Sequence, residues 1–189
     1  MTQAEFDNSA GSAPSGPQIA GRRAASRVAR RRGARAWFGF ALAQAICFAA
    51  AAIGGWLTSR TLATWYPGLA KPSWNPPDWV FAPVWTVLYA MMACAAWLVG
   101  RERGWRAAAF PLGLFAAQLA LNVAWSGLFF ALQSPGAALV DVILLWLLIL
   151  ATLVSFWRVN AQAGLLLVPY LGWVSFAAVL NCAIWQLNR

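Results

Sequence analysis

The sequence predicts an all-α fold, an integral membrane bundle of five transmembrane helices, on three observations. Only 10% of the 189 residues are charged while 61% are hydrophobic, against roughly a quarter charged in soluble domains. Apolar runs long enough to cross a bilayer core, which takes roughly 20 residues, recur at 36–57, 79–100, 107–132, 137–157 and 163–185. The basic residues concentrate in alternate connections, the pattern that orients membrane helices.

Residues 1–35 precede the first run. Ser, Gly, Pro and Ala give way to Arg22, Arg23, Arg27, Arg30, Arg31, Arg32 and Arg35, with no acidic residue after Asp7. Such a segment buries too little apolar surface to fold alone and is expected to be a disordered basic tail. Arg-rich leaders of organellar or secretory type have a similar composition. The rest of the chain, 36–189, forms one compact five-helix domain. Its first run, Ala36 to Leu57, is longer than a signal-peptide core and reads as a retained span, with Gln44 as an interhelical contact.

The connector that follows is unusual: "WYPGLAKPSWNPPDWVFAPVWTVLY", Trp65 to Tyr89. Pro72, Pro76 and Pro77 lack a backbone donor and fix φ, so the connector is expected to be stiff and non-helical. With Lys71, Trp74 and Asn75 it forms an expected lid, and Trp65, Tyr66 and Trp79 either rest at the interface or fold over the bundle. In the second span Trp85 and Tyr89 stand one turn apart on the same face.

The third span carries two opposed faces on a helical wheel. Gly113, Ala117, Ala120, Ala124 and Gly127 form a narrow seam of small residues, and Gln118, Asn122, Trp125 and Phe129 fall opposite. Small residues let membrane helices approach closely, so the seam is either a contact within the chain or a homodimer interface. Polar side chains avoid lipid by facing a bundle or a cavity. In the fourth span Asp141 sits about a turn from the start, favoured there by the helix dipole or placed as an anchor at a cavity mouth, with Thr152 and Ser155 as interhelical contacts. The fifth brings Tyr170, Trp173, Ala177 and Asn181 to one side, with Pro169 loosening its first turns. Aromatics beside amides on three helices make an apolar cavity with a few hydrogen-bonding groups, suited to a planar hydrophobic ligand.

Several classes are excluded. Histidine is absent, which removes histidine-based catalysis and histidine-held haem or zinc. Cys47, Cys94 and Cys182 lie in separate spans and read as packing residues, so no metal site is expected. The net charge of +9 does not mark a nucleic-acid binder. With the N-terminus cytoplasmic, eleven of the fourteen basic residues lie on the inner side and only Arg60, Lys71 and Arg189 outside. This arrangement predicts a cytoplasmic N-terminus, an outer C-terminus and an outer connector, with the tail near anionic lipid headgroups.

The connector, together with "AAQLALNVAWSGLFF", Asp141 and "LLLVPYLGWVSFAAVLN", resembles the TspO/MBR family of tryptophan-rich sensory and translocator proteins, from about Ala36 to Arg189. The resemblance implies a five-helix membrane bundle, often a homodimer. Its cavity beneath the first loop binds porphyrins such as protoporphyrin IX and isoquinoline carboxamide-type synthetic ligands, with no cofactor required. It places Trp85, Tyr89, Asn122, Trp125 and Trp173 in that cavity and Tyr66, Pro169 and Ala177 at or near it. It also implies either a regulatory, sensory or transport role in tetrapyrrole metabolism, or light- and oxygen-dependent porphyrin degradation with Trp85 and Trp173 as the candidate catalytic residues. The end of the fifth span, "AVLNCAIWQLNR", has no tyrosine where the cholesterol-recognition pattern needs one, so strong cholesterol binding is not expected. Alanine- and arginine-rich composition favours a bacterial inner membrane, with an organellar outer membrane as the alternative.

Overall fold

The structure, a computed structural model, describes the backbone from Gly16 to Arg189 and the side-chain surroundings of Gly33 and of residues 36–189. The packing described below concerns the unit Phe38–Arg189. Helix α1 runs Gly16–Leu62, α2 Phe81–Arg103, α3 Ala109–Ser126, α4 Pro135–Trp157 and α5 Ala161–Leu187, and the described residues hold no strand. Five stretches are long and apolar enough to span a bilayer: Ala36–Leu62, Asp78–Arg103, Ala109–Ala131, Pro135–Trp157 and Ala161–Leu187. They match the expected runs to within a few residues at each end.

Part of the expected tail falls within the described residues. Residues 16–35 are helical; alanine and arginine are strong helix formers and nothing in "RRAASRVARRR" breaks a helix. The part of that expectation falling on residues 1–15 lies outside the described residues.

Local chemistry sets the remaining ends. Gly104, at φ +79°, closes α2 in a conformation that costs glycine little. Pro135 opens α4, where its missing N–H removes nothing. The Asn160 side chain accepts from the Ala163 amide at 3.1 Å and caps α5. The end of α3 loosens into a π-helical turn, Gly127–Ala131, in which the Leu132 amide reaches the Gly127 carbonyl at 2.8 Å. The wider turn lets the adjacent Phe129 and Phe130 both point inward, and π-turns of this kind recur at functional sites.

Helices α3, α4 and α5 form the tightest part of the bundle. Phe115 stacks on Phe156 at 5.8 Å, and the Trp146 indole donates to the Ser175 hydroxyl at 2.8 Å. Gly164 and Gly136 leave room for Trp157 and Trp185. Helix α2 lies against α5 through the Trp85–Tyr170 and Phe81–Trp173 ring contacts. Helix α1 buries Ala43, Cys47 and Ala50 along its middle and makes close contacts toward both ends. Toward the connector it meets α3: Gly54 faces Ser126, Leu57 covers Gly127, and the Thr61 hydroxyl donates to the Phe130 carbonyl at 2.9 Å. Toward the other end the Trp105 indole lies against both Gly39 of α1 and Gly100 of α2, and a methyl group on either glycine would sit 3.0 Å from its ring. Phe40 and Trp97 meet edge to face at 5.5 Å beside it.

The connector is not wholly irregular. Short 3₁₀ turns at Tyr66–Gly68 and Asp78–Val80 flank the proline-rich stretch. The Asn188 side chain at the end of α5 clasps it: its oxygen accepts from the Ala70 amide at 3.0 Å, and its nitrogen donates to the Ala70 carbonyl at 2.9 Å and the Ile184 carbonyl at 2.7 Å.

Candidate ligand cavity

A cavity of about 410 Å³ lies at the connector end of the bundle, within the range of roughly 300–1,000 Å³ usual for small-molecule sites. Every helix except α4 lines it. The expected Tyr66, Trp85, Tyr89, Asn122, Trp125, Trp173 and Ala177 all face it. Trp85 and Tyr89 lie 5.6 Å apart, Trp125 stacks on Phe129 at 5.3 Å, and Trp173 contacts Phe81 and Phe176. The wall is therefore largely aromatic.

Two of its polar groups, Tyr89 and Asn122, belong to a buried ladder that continues behind the wall. The Tyr89 hydroxyl donates to the Asn122 side-chain oxygen, the Asn122 amide nitrogen donates to the Tyr170 oxygen at 3.0 Å, and the Tyr170 hydroxyl donates to the Gln118 side-chain oxygen at 2.8 Å. A primary amide carries two donors and two lone pairs, so Asn122 keeps one N–H and one lone pair beyond this ladder. A second chain runs from the Trp125 indole to Asn181 at 3.0 Å and from Asn181 to the Pro135 carbonyl at 2.8 Å. These bonds fix the rings of Tyr89, Trp125 and Tyr170. The Gln118 amide nitrogen, at the end of the first ladder, is buried without a partner.

Two expectations about the site change. Pro169 does not line the cavity and is exposed on the outside of α5, because Tyr170 faces inward and its neighbour falls about 100° around the helix. The lid residues Lys71, Pro72, Trp74, Asn75, Pro76 and Pro77 also stay off the cavity wall. They form an outer layer that positions Tyr66, the connector's inward side chain. Lys71 lies over the Tyr66 ring at 4.3 Å, Asn75 accepts the Tyr66 hydroxyl at 3.2 Å, and Trp74 meets Phe176 at 5.9 Å. Burial, and then the nearby Asp78 charge, raise the Tyr66 pKa above its ordinary value, with the Asn75 bond opposing them. Tyr66 is thus a neutral donor at physiological pH.

Asp141 does not anchor the connector. It is buried at 7% exposure with one carboxylate oxygen unpartnered, and Asn188 makes the connector bonds instead. Of the seam, Gly113, Ala117, Ala120 and Ala124 are exposed, while Gly127 rests on Leu57. The cysteines are free, and the described residues hold no cluster able to bind a metal. Sequence reasoning missed the contribution of α1, whose Ala51, Gly54 and Thr58 line the cavity, and the rim position of Asp78. Small residues in an apolar run carry no signal of a cavity wall.

The TspO/MBR family model matches residues 43–186. The chain is 50% identical to a tryptophan-rich protein TspO of Chlorobaculum tepidum over 151 residues, 78% of this chain and 94% of that one. It is 42% identical to the human translocator protein over 154 residues, 80% and 89% of the two chains. It is 40% identical to a tryptophan-rich sensory protein of Cereibacter sphaeroides over 152 residues, 80% and 92%. With five apolar spans and a match over most of its length, the chain is an integral membrane protein that belongs to the TspO/MBR family.

Proposed function

We propose that the protein binds a tetrapyrrole of the protoporphyrin IX type in this cavity and serves a regulatory, sensory or transport role in tetrapyrrole or stress metabolism. The observation that carries the reading is one cavity lined by Trp85, Trp125 and Trp173, together with Asn122 and its spare hydrogen-bonding capacity. Flat indoles supply apolar area and ring contact, and the amide supplies orientation. Isoquinoline carboxamides, planar and carrying one amide, satisfy the same wall. No cofactor is needed for such binding. The names of the relatives, sensory and translocator proteins, agree with a role in signalling or movement of a ligand.

The same reading includes a homodimer through the exposed stripe Gly113, Ala117, Ala120 and Ala124, a face suited to close helix approach. It also includes a bacterial inner membrane with the N-terminus cytoplasmic, supported by the distribution of arginines. Lipid is then the surrounding partner, and nucleic acid is not one.

Titration of the detergent-solubilised full chain with protoporphyrin IX in the dark, followed by tryptophan quenching, tests the reading. Saturable quenching at micromolar or lower ligand, lost in the Asn122→Ala/Trp173→Ala double variant, is expected. Equal quenching of both proteins, or none in either, would refute it. A second reading rests on Trp85 and Trp173 facing one cavity: bound porphyrin sensitises dioxygen under light and is itself oxidised, with the indoles taking part. Under light, conversion to a defined product by the wild type but not by Trp85→Phe would select this enzymatic reading, and slow bleaching alike in both would reject it.

A further inference from the structure

The residues lining the cavity differ in exposure according to the helix that carries them. Asn122, Phe129 and Phe130 of α3 and its π-turn, and Leu180, Asn181 and Ile184 of α5, are buried, and the other liners from these elements are half-buried. The exposed liners are Phe48, Gly55 and Ser59 on α1 and Asp78, Ala82 and Thr86 at the head of the second span. The cavity thus meets the outside between α1 and α2. The packing of α1 agrees. Its connector half is fastened to α3 by Gly54, Leu57 and Thr61, whereas its contact with α2 runs from the middle, where Cys47 is fully buried near Cys94 and Tyr89, to the other end around Trp105 and the Phe40–Trp97 pair.

Apart from the exposed Asp78 carboxylate at its connector end, the rim of this gap is chemically mild. The hydroxyls of Thr58, Ser59 and Thr86 each donate to a carbonyl of their own helix, Gly54, Trp56 and Ala82, at 2.8 to 2.9 Å. Their protons are already used, so an apolar molecule passing between them strips no donor of its partner. Gly55 has open space where a side chain would begin. The way past the connector, by contrast, is barred. Tyr66 is buried, Lys71 and Asn75 hold it, and Asn188 ties Ala70 to the end of α5 through both of its backbone groups.

We infer that the cavity exchanges its ligand sideways with the bilayer, through a portal between α1 and α2 rimmed by Phe48, Gly55, Ser59, Ala82 and Thr86, and not through the connector into water. The ligand class this admits is a planar, membrane-dissolved apolar molecule. The identity of that ligand rests on the function proposed above, but the route does not.

The test uses the full chain in liposomes, with Cys47, Cys94 and Cys182 replaced by Ala and one new thiol introduced by Ala177→Cys on the cavity wall. Its reaction with N-(1-pyrenyl)maleimide, a flat reagent that partitions into lipid, is timed alone and with the rim filled by Gly55→Phe or, separately, Thr86→Phe. A third partner variant, Asn188→Ala, frees the connector. Each variant is first shown to melt like the wild type, and the two rim positions serve as independent checks. The portal predicts at least about a tenfold slowing by either rim variant and little change from Asn188→Ala, because blocking a route alters rates. Unchanged labelling in both rim variants, or acceleration by Asn188→Ala alone, would overturn it. A parallel arm measures protoporphyrin IX exchange from preloaded vesicles into the cysteine-intact protein. Slower onset and release at nearly constant affinity is expected in the rim variants. If the wild type binds no porphyrin while thiol labelling still obeys the rim, the portal stands and the ligand assignment fails.

Discussion

Asn122 joins two tyrosines from different helices and still faces the cavity, so its removal should be felt in stability as well as in binding. Asn122→Ala leaves the Tyr89 hydroxyl without its acceptor and the Tyr170 oxygen without its donor. A loss of about 1–2 kcal/mol is expected, allowing for the modest worth of hydrogen bonds inside membranes, and thermal unfolding in detergent measures it. Tyr66 makes a pH prediction. Its closed-state pKa is raised, mainly by burial, so the open connector ionises more readily and closure weakens as pH climbs past the ordinary tyrosine value of about 10. Opening of the connector, read by a fluorophore placed on it, should therefore be flat from about pH 6 to about pH 9 and greater above that range, and Tyr66→Phe should abolish the rise. Residues of this kind were legible when their chemistry was conspicuous: a lone asparagine opposite a seam of small residues identifies itself. Asn188 was not, because its partner Ala70 lies 118 positions away and carries no side-chain chemistry to suggest the pair. Nor was the role of Asp78, since a carboxylate just ahead of a span looks like any interfacial charge.

At the scale of helices, hydrophobic length predicted the spans, and the wheel separated the inner and outer faces of α3. The turn at Gly127–Ala131 was not readable, because a π-turn leaves the apolar run unbroken and only shifts which side chains face inward. Helix α1 was equally silent: its wall is built from Ala51, Gly54 and Thr58, which look the same whether they face lipid, protein or a cavity. Close approach between α4 and α5 leads to a sharp expectation. A methyl group at Gly164 would lie 2.7 Å from the Trp157 ring and 2.9 Å from its backbone. Backbone cannot yield as a side-chain tip can, so Gly164→Ala should cost about 1–3 kcal/mol, read as a lowered melting temperature. Gly113→Ala meets open space and should leave the melting temperature of the monomer nearly unchanged. For the proposed dimer, Ala117→Phe on the same exposed stripe should shift the detergent-solubilised protein from dimer to monomer in sedimentation, and an unshifted dimer would move the interface elsewhere.

Across the unit Phe38–Arg189, the bundle is closely packed at one end and divided at the other. Helices α3, α4 and α5 pack through large rings against glycines, Trp105 bridges α1 and α2 at the end away from the connector, and the cavity opens where α1 leans on α3 and leaves α2. The aromatic connector is therefore not the wall of the site. It is an outer brace that sets one tyrosine over the site and is clasped at Asn188, which explains why so many of its prolines and tryptophans sit outside the cavity. The proposed function places a tetrapyrrole in this cavity. Its most direct test is an experimental structure of the full chain with protoporphyrin IX bound in a lipid environment. A macrocycle against Trp85, Trp125 and Trp173 with a polar atom within hydrogen-bonding reach of Asn122 is expected. Porphyrin found on the Gly113–Ala124 stripe or on the lipid face of α1, with the cavity unfilled, would contradict it.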